Sequence, residues 1–143
     1  MKEAQQPRCE ECGARVGSVF SVLDGLELVE VDTGKTCLSV KRGERLFSHG
    51  QYARGLHCVH SGHLKLIRYG NDGREQILRF AGAGDTLGYA ALFTTEPYSV
   101  EAVAVEDSAV CFIPMELIQR YLRENPHLSL QVMQLMSHEL QDT

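Results

Sequence analysis

The chain has 143 residues, of which 43% are hydrophobic and 23% charged, and it carries a formal net charge of −5 at pH 7. This length and composition suit one globular domain with a hydrophobic core. The net negative charge argues against direct binding of DNA by this segment, because affinity for DNA depends on Lys and Arg side chains that displace condensed counterions from the phosphate backbone.

The N-terminal stretch MKEAQQPRCEEC has no apolar core that could serve as a secretion signal, and no run in the chain approaches the roughly 20 apolar residues of a membrane span. We therefore expect a cytoplasmic protein. In that reducing compartment the five cysteines are better explained as thiols, metal ligands or redox groups than as structural disulfides. Cys9 and Cys12 precede the predicted folded part, and they are a redox pair, half of a metal site, or thiols of a flexible tail.

Between residues 38 and 113 the sequence breaks into short apolar runs separated by turn residues, which is typical of an all-β sandwich or roll. The segment Asn71-Asp72-Gly73 predicts a hairpin turn, because Asp and Gly tolerate the positive φ that such turns need. On either side of it Leu64, Leu66 and Ile77 alternate with polar neighbours, as residues of half-buried strands do.

The glycines of AGAGDTLGY disfavour a regular helix or strand there and indicate a tight, irregular turn of the backbone. Strand character returns in SVEAVAVEDSAVCFIP, where Val100, Ala102 and Ala104 fall on one face. A turn at residues 106–108 then leads to a last strand from Ala109 to Ile113.

Two helical patterns follow Pro114. The stretch PMELIQRYLRENP predicts a short helix with Pro114 in its first turn, and Asn125-Pro126 ends it. From His127 a second pattern carries two apolar rows, Leu128, Val132 and Leu135 on one side and Met133, Met136 and Leu140 on the other. One row can pack on the domain's own sheet, and a second apolar row that stays uncovered is typical of a dimer interface, or seam. The alternative is a terminal helix packed wholly on its own sheet. We favour the seam.

A roll of short strands, a Gly-Asp-x-x-Gly element at residues 84–88, a Cys-x-Ile-Pro strand end at residues 111–114 and two helices together resemble the effector domain of the CRP/FNR family of bacterial transcription regulators. The stretch VCFIPMELIQRYLRENPHLSLQVMQLMSHEL is similar to the FNR branch in particular. The resemblance implies a mainly β fold with C-terminal α: a double-stranded β-helix, or jelly roll, like a cyclic-nucleotide-binding domain, then a short helix and a dimerisation helix.

The resemblance also implies how the chain is divided into a tail, a domain and a helix. Residues 1–17 would be a cysteine-containing tail, residues 18–125 the β-roll effector domain, and residues 126–143 the start of the dimerisation helix. The family is homodimeric and reads its operator through a C-terminal helix-turn-helix domain. No recognition helix follows in this sequence, so we expect DNA binding only through a domain missing from this chain.

Cyclic-nucleotide-binding relatives carry a Glu that binds the ribose hydroxyl and an Arg-Ser pair whose Arg clamps the cyclic phosphate. Here those positions hold Tyr89 and Tyr98-Ser99. Because a phosphate diester buried without compensating charge is costly, we do not expect cAMP recognition. Gly84, Gly88, Tyr89, Tyr98 and Ser99 stay candidates for the pocket of a different, less anionic effector. Hairpin packing is the alternative role of Tyr89, Tyr98 and Ser99.

The FNR branch, by this resemblance, senses oxygen through an iron–sulfur cluster held by three clustered N-terminal cysteines and a fourth on the last strand. Cys9 and Cys12 match the first two ligands and Cys111 matches the fourth. Ser18 stands where the third is expected, which leaves one position without a thiolate.

Cys58 is the replacement that we favour for the missing thiolate, and Cys37 is a weaker candidate. Cys58 falls on a predicted core strand on the same face as Leu56, where a small buried thiol can also simply pack.

His57, His60 and His63 recur within a short stretch, with His57 and His63 predicted on one face. No carboxylate follows at the spacing of a cupin metal site, and no nucleophile–base pair stands out, so we expect no enzymatic activity. Two hypotheses remain. The first is the redox-sensing half of an FNR-like regulator, and the second is a binding module whose pocket near residues 84–99 takes an unidentified small molecule.

Overall fold

The computed structural model describes residues 2–3, 34–88 and 94–141. The strands within these ranges are β1 (Lys2–Glu3), β2 (Thr36–Val40), β3 (Arg45–Phe47), β4 (Gly55–Ser61), β5 (Leu64–Tyr69), β6 (Glu75–Ala81), β7 (Thr86–Leu87), β8 (Glu101–Ala104) and β9 (Ser108–Pro114). The helices are α1 (Met115–Glu124) and α2 (Pro126–Gln141). One sheet has the strand order β1-β2-β9-β4-β7, and the other has the order β3-β8-β5-β6.

The main hydrophobic core lies between the two sheets. Val40, Val59 and Val110 come from three adjacent strands of the first sheet and are fully buried. They share one cluster with Leu64 and Ala102 of the second sheet. Burial of a side chain of this kind contributes about 1.5–3 kcal/mol, so these facing rows hold the two sheets together.

The predicted hairpin at residues 71–73 is confirmed as the turn between β5 and β6. The Gly70 amide donates a hydrogen bond to the Arg74 carbonyl at 2.9 Å, and the Arg74 amide donates to Asp72 Oδ1 at 3.0 Å. Gly73 has a φ of +78°, a conformation that glycine adopts without a steric penalty. Local turn chemistry therefore sets this connection.

The strands beside this turn are only partly as predicted. Leu64 and Leu66 are buried, but the prediction that Ile77 lies on the buried face of a half-buried strand is wrong, because its side chain is 49% exposed. The reason is that β6 is the edge strand of its sheet and most of its residues are exposed.

Both helices pack on the outer face of the first sheet. Along β4, Leu56 belongs to a cluster with helix residues and Val59 belongs to the core between the sheets, which places them on opposite faces. Ile118 of α1 and Leu128 of α2 are buried in the cluster with Leu56. The helices therefore close a second, smaller core.

Each helix begins one residue away from its predicted start. Pro114 is the N-cap residue of α1 and not part of its first turn. Pro126 already belongs to α2, and the amides of His127 and Leu128 donate hydrogen bonds to Asn125 Oδ1 at 3.0 and 3.2 Å. Asn125 thus caps α2, with proline in the first turn, where a missing amide costs nothing.

The two apolar rows predicted on α2 are only partly separated. Leu128 and Val132 are buried against the sheet, as the first row requires. In the second row Met136 packs against the same core while Met133 is 57% exposed. Leu130, three positions before Met133, is 51% exposed, so the free apolar surface centres on these two residues. The side chains of Leu135 and Leu140 lie outside the described residues.

The predicted fold class, a jelly roll followed by a short helix and a longer one, is confirmed. Much of the tail predicted at residues 1–17, and the start of the predicted effector domain from residue 18, fall outside the described residues. Within the tail, Lys2 and Glu3 pair with Ser39 and Leu38 of β2.

Candidate functional site

Three cysteines lie side by side across the first sheet. The Cα of Cys111 on β9 pairs with that of Cys37 on β2 and with that of Cys58 on β4. Residues directly opposite in an antiparallel ladder point to the same face, so the three side chains form one row. We call Cys37, Cys111 and Cys58 the thiol row.

The thiols of Cys37 and Cys111 are in direct contact, with 3.2 Å between their Sγ atoms. The exposed fractions are 2% for Cys37 and 8% each for Cys58 and Cys111, and none of these three cysteines forms a disulfide. The three cysteine side chains are therefore shielded from solvent and are not oxidised to a disulfide.

Burial raises the pKa of the Cys111 thiol well above its usual value, and the hydrogen bond with Cys37 raises it further. The buried Lys35 ammonium opposes this shift. Cys111 is therefore protonated at neutral pH in this arrangement. A coordinated metal ion would reverse that preference, because a coordinating thiol is deprotonated.

The thiol row lies on the face of the sheet that carries the helices. Cys58 is in the same buried cluster as Leu56 and Ile113 of the sheet and Leu128 and Val132 of α2. The predicted position of Cys58 beside Leu56 is thus confirmed, and the thiol packs directly under the C-terminal helix.

An iron–sulfur cluster sets a chemical and a geometric requirement on the thiol row. Soft thiolates are the preferred ligands of such clusters. Two thiolates bound to separate irons are held apart by the cluster between them, whereas the sulfurs of Cys37 and Cys111 touch. Cys37 therefore does not share a cluster with Cys111 in this arrangement, and Cys58, the other residue opposite Cys111, is the remaining thiol of the row for that role.

The other predicted ligands are not placed. Cys9, Cys12 and the serine at position 18 lie outside the described residues. Within the described ranges, no group of three or more His, Cys, Asp or Glu side chains is arranged to hold a metal ion. The described residues therefore do not supply a full ligand set by themselves.

The residues predicted to line an effector pocket are only partly brought together. Gly84 lies in a turn closed by a hydrogen bond from the Asp85 amide to the Gly82 carbonyl at 3.0 Å, and its own amide donates to the Val59 carbonyl of β4 at 2.9 Å. Tyr98 is buried, and a side-chain carbon added at Gly88 would lie 3.4 Å from its hydroxyl. Ser99 is exposed, and Tyr89 lies outside the described residues. Of this set, Tyr98 borders a cavity.

That cavity has a volume of about 430 Å³. Phe47, His57, Tyr98 and Phe112 supply aromatic walls, and the Phe47 and Tyr98 rings are stacked. Arg54, an exposed residue, also lines the cavity. The site therefore combines flat apolar walls with one cation.

His57 is the buried polar group of this cavity. Its side chain is 7% exposed, and Nδ1 has no hydrogen-bond partner in the described part of the chain. Burial lowers the pKa of His57 to about 4, so the ring is neutral at pH 7. The sequence predicts His57 only as a possible metal ligand, because the chain order does not show that the rings of Phe47 on β3 and Phe112 on β9 tilt against it.

The prediction that His57 and His63 share a face is wrong. A bulge between Val59 and Ser61 shifts the register of β4, and His63 follows the end of the strand. His63 Nδ1 instead lies 2.7 Å from Glu106 Oε1. The histidines therefore do not converge on one site.

Comparison with known proteins gives consistent matches. Residues 37–125 match the family described as Cyclic nucleotide-binding domain. The chain is 32% identical over 133 residues to the Fumarate and nitrate reduction regulatory protein of Vibrio cholerae, covering 92% of this chain and 53% of the relative. It is 37% identical over 103 residues to the Transcriptional activator protein anr of Pseudomonas aeruginosa, covering 72% and 42%. The chain thus spans about half the length of the curated relatives it matches.

Among solved structures, the sensor domain of the transcriptional regulator DNR from Pseudomonas aeruginosa superposes with a TM-score of 0.77 and 26% identity. The match covers 85% of this chain and 82% of that domain. In the described part of the chain, no helix is long and apolar enough to span a membrane.

Proposed function

Since the chain belongs to the cyclic nucleotide-binding domain family and is a member of its CRP/FNR branch, we propose that it is the effector domain of a transcription regulator that senses oxygen or redox state through its cysteines. The observation that carries the proposal is the thiol row. It surrounds Cys111, the residue that matches the sheet ligand of the FNR branch, with further thiols.

In this proposal Cys9, Cys12, Cys58 and Cys111 hold an iron–sulfur cluster, with Cys58 in place of the ligand that Ser18 cannot supply. When bound, the cluster supplies an oxygen-sensitive centre. The reach of the N-terminal segment supports this set. Glu3 pairs with Leu38, next to Cys37, and six further residues span at most about 20 Å, which is enough to bring Cys9 to the thiol row.

The packing of Cys58 supports a route for the signal. Its thiol lies in one buried cluster with Leu128 and Val132, so a displacement of Cys58 changes the support of α2 directly. Packed cores respond to such displacements by shifting whole elements, since they are not continuously deformable. We infer that α2 moves against a second copy of this chain through Leu130 and Met133.

DNA recognition is proposed for a separate helix-turn-helix domain, and a cytoplasmic location belongs to the same proposal. The net charge of −5 fits this division, because the effector domain lacks the cationic excess that a DNA-binding surface requires. No enzymatic step is proposed.

The test is anaerobic purification, with iron and sulfide added if the protein emerges empty. We expect a brown protein whose visible absorption is lost in air, and we expect Cys9→Ser and Cys58→Ala to remain colourless. Cys37→Ala is the matched control and should keep the colour. A colourless wild-type protein under these conditions would overturn the proposal.

A second candidate function is a binding module for a small effector, and the cavity beside Tyr98 favours it. Its aromatic walls, the unpartnered Nδ1 of His57 and the guanidinium of Arg54 suit a planar ligand that carries an anionic group. A colourless protein whose melting temperature rises with such a ligand, and rises less in Arg54→Ala, would favour this function.

A further inference from the structure

We infer that Cys37 and Cys111 form a reversible disulfide when the protein lacks its cluster, and that this bond withdraws Cys111 from metal binding. The inference deepens the proposed function and its second half rests on it. The disulfide itself depends only on the geometry of the thiol row.

The backbone is already placed for this bond. Cys37 and Cys111 are directly opposite on the antiparallel strands β2 and β9. Directly opposite Cα atoms in such a ladder lie about 4.5 or 5.5 Å apart, and both separations fall within the range of about 4.4–6.8 Å found across disulfides.

The side chains are also turned toward each other. The Sγ atoms are 3.2 Å apart, and a disulfide requires about 2.05 Å, so rotation of the two thiols closes most of the gap. Cys58 is likewise opposite Cys111 on the other side of β9. We assign Cys37 as the disulfide partner because its Sγ lies 3.2 Å from that of Cys111, and Cys58→Ala tests the other neighbour.

The oxidant that we assign is a peroxide. One thiolate attacks a peroxide oxygen, the O–O bond breaks, and the attacking sulfur becomes a sulfenic acid while the other oxygen leaves as water. The second sulfur then attacks the sulfenic sulfur, the S–S bond forms, and the S–O bond breaks with release of a second water. Two thiols lose two electrons and two protons, and one peroxide is reduced to two waters.

Burial determines when the reaction runs. The side chains of Cys37 and Cys111 are only 2% and 8% exposed, so peroxide reaches them slowly in the closed fold. A cluster on Cys111 blocks it altogether, because the sulfur is then already bonded. The disulfide therefore forms in the empty protein under sustained peroxide, and a thiol reductant reverses it.

The experiment uses the full chain without metal. The protein is treated with hydrogen peroxide, quenched, alkylated under denaturing conditions and digested, and disulfide-linked peptides are identified by mass spectrometry. We expect a linked Cys37–Cys111 peptide that loses its link after reduction, and a fall of two in the number of alkylated cysteines. The same peptide should form in Cys58→Ala, and no link to Cys111 should form in Cys37→Ala.

Alanine is used at both buried positions because a serine hydroxyl would lack a partner there. Far-ultraviolet circular dichroism checks that the variants fold, and the wild-type peptide map does not depend on them. Linkage of Cys111 to Cys58, Cys9 or Cys12, or full alkylation of Cys37 and Cys111, would overturn the inference.

Cluster loading separates this inference from the proposed function. Peroxide-treated wild type should take up no iron until it is reduced, as measured by its iron content. If the disulfide forms but the reduced protein never binds iron, the proposed function fails and the disulfide stands. If iron binds and no Cys37–Cys111 link forms, the inference fails alone.

Discussion

The ring of Tyr98 stacks on the ring of Phe47, with 3.9 Å between the ring centroids and 15° between the ring planes. Both side chains are buried. This stack joins the segment before β8 to β3 at the edge of the cavity.

We expect Tyr98→Ala to lower the free energy of unfolding by about 3–5 kcal/mol, because it removes a large buried ring and leaves a cavity. Tyr98→Phe keeps the stacked ring and should lose no more than about 1 kcal/mol. Urea unfolding of both variants at pH 7 checks this. Equal losses in the two variants would show that the hydroxyl, and not the ring, stabilises this region.

His57 predicts a dependence of stability on pH. Its pKa is lowered from 6.5 to about 4 in the fold, so the unfolded chain binds more protons between these values. The folded state therefore has its full stability with respect to His57 above pH 6.5, and the free energy of unfolding decreases as the pH falls toward 4. The loss amounts to about 3 kcal/mol at pH 4.

The measurement compares urea unfolding at pH 7 and pH 4.5 for wild type, His57→Leu and the exposed control His49→Gln. We expect His57→Leu to lose much of the difference between the two pH values and His49→Gln to keep it. Identical pH dependence in all three proteins would contradict the assignment to His57.

Asn125 caps α2 through hydrogen bonds from the amides of His127 and Leu128. Replacement by alanine leaves those amides without a side-chain acceptor, so Asn125→Ala should destabilise the protein by about 1 kcal/mol. Asn125→Asp retains an acceptor and should stay close to wild type. Thermal unfolding of the three proteins decides this, and an alanine variant as stable as wild type would exclude a capping role.

The exposed apolar side chains of Met133 and Leu130 lead us to expect self-association through α2. Met133→Glu places a charge on the exposed apolar surface of the helix, and a charge buried in a dimer interface without a partner is costly. We expect this variant to be monomeric at concentrations where wild type is dimeric, as measured by sedimentation velocity. Gln134→Glu adds the same charge at the neighbouring exposed position and should remain dimeric.

Features set by neighbours in the chain could be predicted from the sequence. The β5–β6 hairpin is fixed by Asn71-Asp72-Gly73, and the two helices follow from their apolar spacing. The cap of α2 could also be predicted from the sequence, since Asn followed by Pro is a common helix start. Here Asn125-Pro126 is predicted only as the end of α1.

Features set by strand order could not be predicted. Cys37 and Cys111 are 74 positions apart and meet because β2 and β9 are neighbours in the sheet. The same order makes Cys58 the other neighbour of Cys111, and the chain order does not show that Cys37 and Cys58 both flank it. The exposure of Ile77 likewise depends on β6 being an edge strand, which its alternating pattern does not reveal.

The most direct test of the central claim is the iron and sulfide content of anaerobically reconstituted protein, measured for wild type, Cys111→Ala and Cys37→Ala with Mössbauer spectra of each. The account predicts an iron–sulfur cluster in wild type and in Cys37→Ala, and none in Cys111→Ala. A Cys111→Ala protein that holds as much iron and sulfide as wild type would contradict it.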